Sequence, residues 1–470
     1  MLNISLCGQA MKPDKENVGL LEVAQFVTFP PISFLLPYNL FMPRHSHCQG
    51  PRTTLLAYGR PLLLAMLLIV LPVRRVLAED RADLTLGYYI EDHNRVEVWS
   101  PALLLETDIN PHTVMRLQGI YDVVSGASPS GAPMTRKTRV VTKEIVTTQT
   151  SSVVTGFNTI SGATGVPAIQ VPISGTVTKS TKTLQTSIVP YGKPYLPMQG
   201  FDDQRLGLNL EFEHYAKDWI YTGGVAYGNE SDYESLAGTV KLSRELNHKD
   251  TVISAGASFG HDWVLNPTLH EWDGKDTLES ILSLAQVIDA KTLVTIAGTL
   301  GSSCGYLDDQ YKYASVDDVI VHEKRPDARD KRIAMVMLNR AFDSLNGSVE
   351  ASYRFYNDSY GIAAHTLGLA WYQRIGKYLV LAPSVRYYEQ SAADFYGVKF
   401  AGQRPVFSSD YRLSKLDSVT YGVKLLVKLS ESFDFTLAYD RYAMHGQDGE
   451  TPGEAYPKAN IFTAGFKLWY

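Results

Sequence analysis

From Asp83 onward apolar and polar side chains alternate with a period of two, the mark of strands that are apolar on one face and polar on the other. Runs of 9 to 15 residues with this pattern recur at 83–91, 95–106, 112–124, 201–215, 218–229, 233–246, 250–261 and 277–287. They continue at 290–301, 331–342, 346–358, 363–374, 378–391, 416–430, 433–446 and 460–470, bounded by Gly, Asn, Asp or Pro. The pattern predicts an all-β chain of about 16 strands. Each run is long enough for a tilted crossing of a hydrocarbon layer, where about 9–11 residues suffice.

The connections sort themselves. Every second one is short: 107–111, 216–217, 247–249, 288–289, 343–345, 375–377 and 431–432. The others vary, and 125–200, 262–276, 302–330, 392–415 and 447–459 are long. Alternating tight turns and long loops predict an antiparallel, up-and-down transmembrane β-barrel of the outer-membrane type. Turns and both termini would lie in the periplasm, and loops outside, on a Gram-negative-type cell. A soluble sandwich or propeller has no reason to sort its loops this way.

Parity agrees. In the run at 204–215, Leu206, Leu208, Leu210 and Phe212 share one face, and Arg205, Asn209, Glu211 and Glu213 share the other. At 418–429, Val419, Tyr421, Val423, Leu425, Val427 and Leu429 alternate with Thr420, Gly422, Lys424 and Lys428. A charge facing lipid near mid-membrane costs about 2–4 kcal/mol, so charges are expected to face the lumen. In the last run, Phe462, Ala464, Phe466, Leu468 and Tyr470 share a face, the expected membrane-insertion signal of a C-terminal barrel strand. Segment 125–200 interrupts the rhythm. It opens on a Ser/Gly/Ala/Pro stretch at 125–133 and carries Val/Thr-rich runs at 138–150 and 175–188, which predict a β-hairpin arm above the membrane or inside the lumen.

The longest apolar segment, 62–73, is too short to span a bilayer but has the length of a signal-peptide core. Arg44, Arg52 and Arg60 precede it and small Ala78 follows, so cleavage is expected near Ala78. Residues 1–78 are read as a non-native upstream segment plus signal peptide, and 79–470 as one barrel domain. The latter holds 37 basic and 46 acidic residues, an acidic balance that offers nucleic acid no basic face. Cys304 is its lone cysteine, so no internal disulfide is expected. Only a few residues separate Ala78 from the first strand, too few for a plug domain before the barrel.

Several loop and strand-end motifs resemble the bacterial domain-of-unknown-function 3570 family. They are 125–133, 305–312 (Gly-Tyr-Leu-Asp-Asp-Gln-Tyr-Lys) and 323–329 (Glu-Lys-Arg-Pro-Asp-Ala-Arg). Further on come 353–366 (Tyr-Arg-Phe-Tyr-Asn-Asp-Ser-Tyr-Gly-Ile-Ala-Ala-His-Thr), 386–396 (Arg-Tyr-Tyr-Glu-Gln-Ser-Ala-Ala-Asp-Phe-Tyr) and 408–414 (Ser-Ser-Asp-Tyr-Arg-Leu-Ser). The resemblance implies an outer-membrane barrel and supplies no catalytic residues. Its genomic company implies thioredoxin-like or flavin-linked envelope partners, alongside the outer-membrane lipid, lipopolysaccharide and barrel-assembly machinery expected of any such barrel.

Parity places Glu350, Arg354 and Tyr356 inward on one strand, Arg386, Tyr388 and Gln390 inward two strands along, and Asp440 and Tyr442 inward on another. They are read as a selectivity or binding ring near the outer mouth, or as a polar and Tyr network holding loops to the rim. His261-Asp262, with His270, Glu271 and Asp273 nearby, could activate water, and Asp308, Asp309, Asp317 and Asp318 could hold calcium. Loop carboxylates of this kind are expected to be solvated or bridged by divalent ions to lipopolysaccharide. No zinc, calcium-loop, phosphate-loop or nucleophile-elbow spacing occurs, so no catalytic residue, metal site or cofactor is assigned. His365 is expected to be a hydrogen-bonder at the rim. The leading expectation is a pore or binding channel for a small solute or exported product. A non-conducting docking barrel for redox or assembly partners is the alternative, and an outer-membrane hydrolase comes third.

Overall fold

The structure, a computed structural model, describes residues 80–470 apart from 161–168 and 267–268; the side chains of 149–179 are not described either. The expected signal peptide and cleavage position lie outside the described residues. The chain divides into two units, 134–195 and the remainder.

Sixteen strands of the larger unit close into one antiparallel barrel. In order these are β1 (Arg81–Glu91), β2 (Val96–Asn110), β3 (Thr113–Pro129), β6 (Met198–Ala216), β7 (Trp219–Asn229), β8 (Tyr233–Leu246), β9 (Thr251–Leu265) and β10 (Trp272–Asp289). They continue as β11 (Thr292–Gly305), β14 (Ala328–Phe342), β15 (Gly347–Asp358), β16 (Ala363–Ile375), β17 (Leu379–Gln390), β18 (Leu416–Lys428), β19 (Phe433–Gly446) and β20 (Lys458–Trp469). β1 pairs with β20 from Arg81↔Trp469 to Glu91↔Ala459, which closes the sheet and leaves it no edge. Every run expected from the pattern is a wall strand.

The tight turns rest on backbone conformations that polar residues and glycine tolerate. Lys217, Asn247, His248, Lys249, Asn346 and Gly376 all take positive φ at the end that also holds both strand termini of the closure. At the long-loop end Gly305 marks the exit of β11 from the wall. Its φ is +109°, and a Cβ there would sit 2.3 Å from the carbonyl oxygen of Gly274, so only glycine fits. Beside it, Cys304 is exposed.

The outer face is greasy all the way round. Leu208, Val225, Val240, Phe259, Leu282, Leu300, Val336, Leu367, Val385, Val423, Leu437 and Phe466 are exposed at alternate wall positions on twelve strands. The opposite parity carries the charges: Arg116 of β3, for example, lies 2.7 Å from Glu106 and 3.0 Å from Glu211.

The smaller unit is a two-stranded hairpin of β4 (Thr135–Ile160) and β5 (Ile169–Tyr195). Its register runs from Thr135↔Tyr195 to Ile160↔Ile169, and it contains the Val/Thr-rich runs expected to pair. Pattern reading missed a second small hairpin inside the 302–330 loop, β12 (Tyr313–Val316) with β13 (Val319–His322).

Candidate functional site: the capped mouth of the barrel

At the long-loop end, segments 306–327 and 391–415 fold onto each other. Backbone bridges join Val316 to Phe400 and Lys324 to Phe407. Tyr311 packs with Tyr89, Val96, Val98, Val124, Phe201 and Ala459, which belong to five wall strands. A second cluster, Tyr360, Ile362, Ala393, Phe395 and Leu413, ties the turn after β15 to the 391–415 segment. Tyr411, Leu416, Met444, Ala455 and Tyr456 form a third. These apolar contacts surround a core of charge.

Three acids and three bases are enclosed there: Asp309, Glu323 and Asp410 against Lys312, Arg325 and Arg412. Asp410 has no exposed surface and Lys312 only 2%. Arg325 lies 2.7 Å from Glu323 and donates to Asp410 at 2.9 Å. Arg412 lies 2.6 Å from Asp410 and also pairs with Asp309. Lys312 donates to the carbonyl of Pro129 at 2.5 Å and to the Ser128 hydroxyl at 3.2 Å. The Ser408 hydroxyl and the Asp309 N–H both donate to Glu323, at 2.5 and 2.7 Å. The formal charges balance, which a buried ionic group requires.

Burial alone would push Asp410 up, yet Arg412, Lys312 and Arg325 outweigh it and hold the carboxyl below its usual range. Asp309 follows the same logic through Arg412 and Lys312. In Glu323 burial prevails over Arg325 and raises the carboxyl to about 7. A cavity of about 310 Å³ opens beside this network, lined among others by Asn266, Tyr306, Asp308, Gln310 and His322.

The residues singled out from the sequence divide into two tiers. Tyr356, Tyr388 and Tyr442 pack against the cap clusters. Gln390 donates to the carbonyls of Arg412 and Ser414 at 2.9 and 2.8 Å and accepts from Tyr388 at 2.6 Å. Glu350, Arg354, Arg386 and Asp440 sit on β15, β17 and β19. Lys424 acts electrostatically on both Glu350 and Asp440, and Arg386 acts on Arg354. On the closing strand Phe462 and Phe466 are exposed and Leu468 is half-buried, and Tyr470 just after it is exposed.

Two expectations need correction. Asp309 is not solvated; it is 3% exposed and paired with Arg412. Asp317 and Asp318 of the same loop are exposed, so position within the loop and not its composition decides. His261 and Asp262 do not form a pair, because neighbours on a strand point to opposite faces. His261 lies 2.6 Å from Asp276, Asp262 lies 2.7 Å from Lys275, and His270 and Glu271 are exposed in the next loop. His365 accepts or donates at the Tyr353 hydroxyl, 2.8 Å away, as a rim hydrogen-bonder would.

All six members of the charge network were missed as a group. The signal was available: each falls inside a motif that carries the family resemblance. A second feature was missed at the rim. Asp203, Glu230 and Asp232 converge there, and burial raises Glu230 to about 8 and Asp232 to about 7.

A family model described as protein of unknown function (DUF3570) matches residues 67–272 and 267–462. No curated protein matches. Among solved structures, OccK5 (OpdH) of Pseudomonas aeruginosa is 8% identical, with 83% of this chain and 98% of that one covered and a TM-score of 0.38. A bacterial polysaccharide outer membrane secretin is 5% identical, with 84% and 100% covered and a TM-score of 0.42. A loop-deletion form of OmpT from Vibrio cholerae is 9% identical, with 83% and 98% covered and a TM-score of 0.38.

Proposed function

The chain belongs to the DUF3570 family of proteins of unknown function, and we propose that it is an outer-membrane channel whose mouth is narrowed by its own folded loops. The observation that carries the reading is the wall's division of labour. Large apolar side chains face outward around a closed barrel, and ionisable ones face inward. An exposed apolar surface of that extent belongs in lipid. Sixteen strands also enclose more space than wall side chains fill, and an interior lined with Arg116, Glu350, Lys424 and Asp440 favours water. In this reading the tight turns and both termini lie in the periplasm, and the cap faces outward.

The cargo is a small solute or exported product that passes the tier of Glu350, Arg354, Arg386 and Asp440 below the cap. Lipopolysaccharide surrounds the barrel, the barrel-assembly machinery inserts it, and envelope redox proteins are its candidate partners. The compactness of the cap also favours a second reading, a non-conducting barrel that docks partners through its loops.

Planar-bilayer recording of the refolded full chain separates the two. A channel gives unit steps, and Arg354→Ala with Arg386→Ala shifts its reversal potential in a salt gradient toward cation preference. Silence from the wild type and from variants with a disrupted cap would leave the docking barrel.

A further inference from the structure

Near the start of β6 and in the turn between β7 and β8, three carboxylates meet: Asp203, Glu230 and Asp232. One oxygen of each lies within 4.8 Å of the others. Asp232 has no exposed surface, Asp203 is 7% exposed, and the side chain of Glu230 10%. Half of their oxygens are committed. Asp203 Oδ1 accepts from the N–H of Gln204 at 2.8 Å. Glu230 Oε1 lies 3.3 Å from Arg205. Asp232 Oδ2 accepts from Gln310 at 2.5 Å and from the Tyr311 hydroxyl.

The remaining three oxygens, Asp203 Oδ2, Glu230 Oε2 and Asp232 Oδ1, are buried and make no hydrogen bond of good geometry; only looser contacts reach these acids, from the hydroxyl and N–H of Ser231 to Asp203 and from the N–H of Asp232 to its own carboxylate. A buried carboxylate oxygen without a donor is costly, and a single such atom needs a reason. Here each of three acids whose carboxylates converge has one such oxygen. When ionised, the trio carries three negative charges against one guanidinium, that of Arg205, which leaves an excess of two.

We propose that Asp203, Glu230 and Asp232 bind one divalent cation of the calcium class. The excess negative charge, to which nearby Asp122 adds, suits a dication, and one oxygen of each acid lies within 4.8 Å of the other two. An all-oxygen donor set without His or Cys selects a hard cation over zinc or copper. Calcium completes its shell from backbone carbonyls or water at about 2.3–2.6 Å and tolerates irregular geometry. The site has a mechanical consequence. Asp232 is also the acceptor for Gln310 and Tyr311, so an ion that fixes Asp232 fixes the 306–327 segment of the cap to the rim. The inference does not depend on whether the barrel conducts.

The test uses the full chain refolded from inclusion bodies, free of lipopolysaccharide and stripped with chelator. Calorimetric titration with Ca²⁺ alone should give one ion per chain, and proteolytic cutting of 306–327 should slow at least tenfold when it binds. Asp203→Asn with Glu230→Gln should abolish both effects while the barrel keeps its heat-modifiable gel mobility. Terbium in place of calcium reads the location: its tyrosine-sensitised emission should fall several-fold in Tyr311→Phe at unchanged stoichiometry. Absence of saturable binding by the folded wild type at millimolar Ca²⁺ overturns the proposal and assigns protons to the trio. Undiminished binding in the double variant overturns it equally.

Discussion

The wall and the cap of this barrel are held together by opposite means. In the wall each strand bonds to its neighbour in the chain order of the barrel, apolar groups face out, and charges sit in a wide interior. In the cap charges are sealed inside and joined across long stretches of chain. Arg325 and Asp410 are 85 positions apart, and Arg412 and Asp309 are 103. A wall side chain can be changed with local consequences, because its neighbours keep their ladders. A cap charge cannot, because its partners are left buried and unpaired. The difference separates a scaffold that tolerates variation from a unit that forms as a whole or not at all.

The comparison can be broken most forcefully at Asp410. Asp410→Asn strands Arg325 and Arg412 without their shared anion and should cost the cap about 3–5 kcal/mol. Hydrogen exchange at 306–327 and 391–415 should then approach that of open loops while wall strands stay protected. Equal loss of protection in the wall would show that the two regions are one cooperative unit. On the wall side, Leu282→Arg should destabilise the barrel folded into vesicles by about 2–4 kcal/mol, since Leu282 is 61% exposed on the outward face. Ser283→Arg, one residue on and facing inward, should cost much less. A similar penalty at both positions would remove the lipid-facing assignment.

The smallest effect sharpens the contrast through pH. Glu323 titrates near 7 in the fold, above the ordinary carboxyl value of 4.5 that it regains on unfolding. A carboxyl raised by folding is fully accommodated below its unfolded value and becomes a burden as pH rises through its folded one. Cap protection should therefore fall between pH 5 and 8, by up to about 3 kcal/mol. Glu323→Gln should flatten that slope, whereas a slope unchanged in the variant would assign it to other groups. Asp410 works in the opposite sense: its lowered carboxyl supports the cap above about pH 4 and fails only in stronger acid.

The same contrast explains what the sequence could disclose. The wall was legible strand by strand because its rule is local: parity along one run, turn residues such as Asn247 and Gly376, and alternating loop lengths. β4 and β5 were legible for the same reason, as Val/Thr-rich runs that pair with each other. The cap follows no local rule. Asp309 and Asp317 look alike in a loop, and only the distant Arg412 decides that one is buried and the other exposed. The inward tier was half legible: parity placed Tyr388 and Gln390, but not the carbonyls of Arg412 and Ser414 that Gln390 holds. The trio at Asp203, Glu230 and Asp232 was invisible, since the start of β6 and the turn between β7 and β8, well separated in the sequence, supply its members.

Cys304 gives the barrel a built-in reporter of sidedness. It is the single thiol among the described residues, it is exposed, and it sits at the end of β11 where the long loops begin. A maleimide too large and too polar to enter intact cells will reach it only if that end faces the surroundings. The number of dyes per purified chain also counts thiols: one if the stretch with Cys7 and Cys48 has been removed, three if it is still attached.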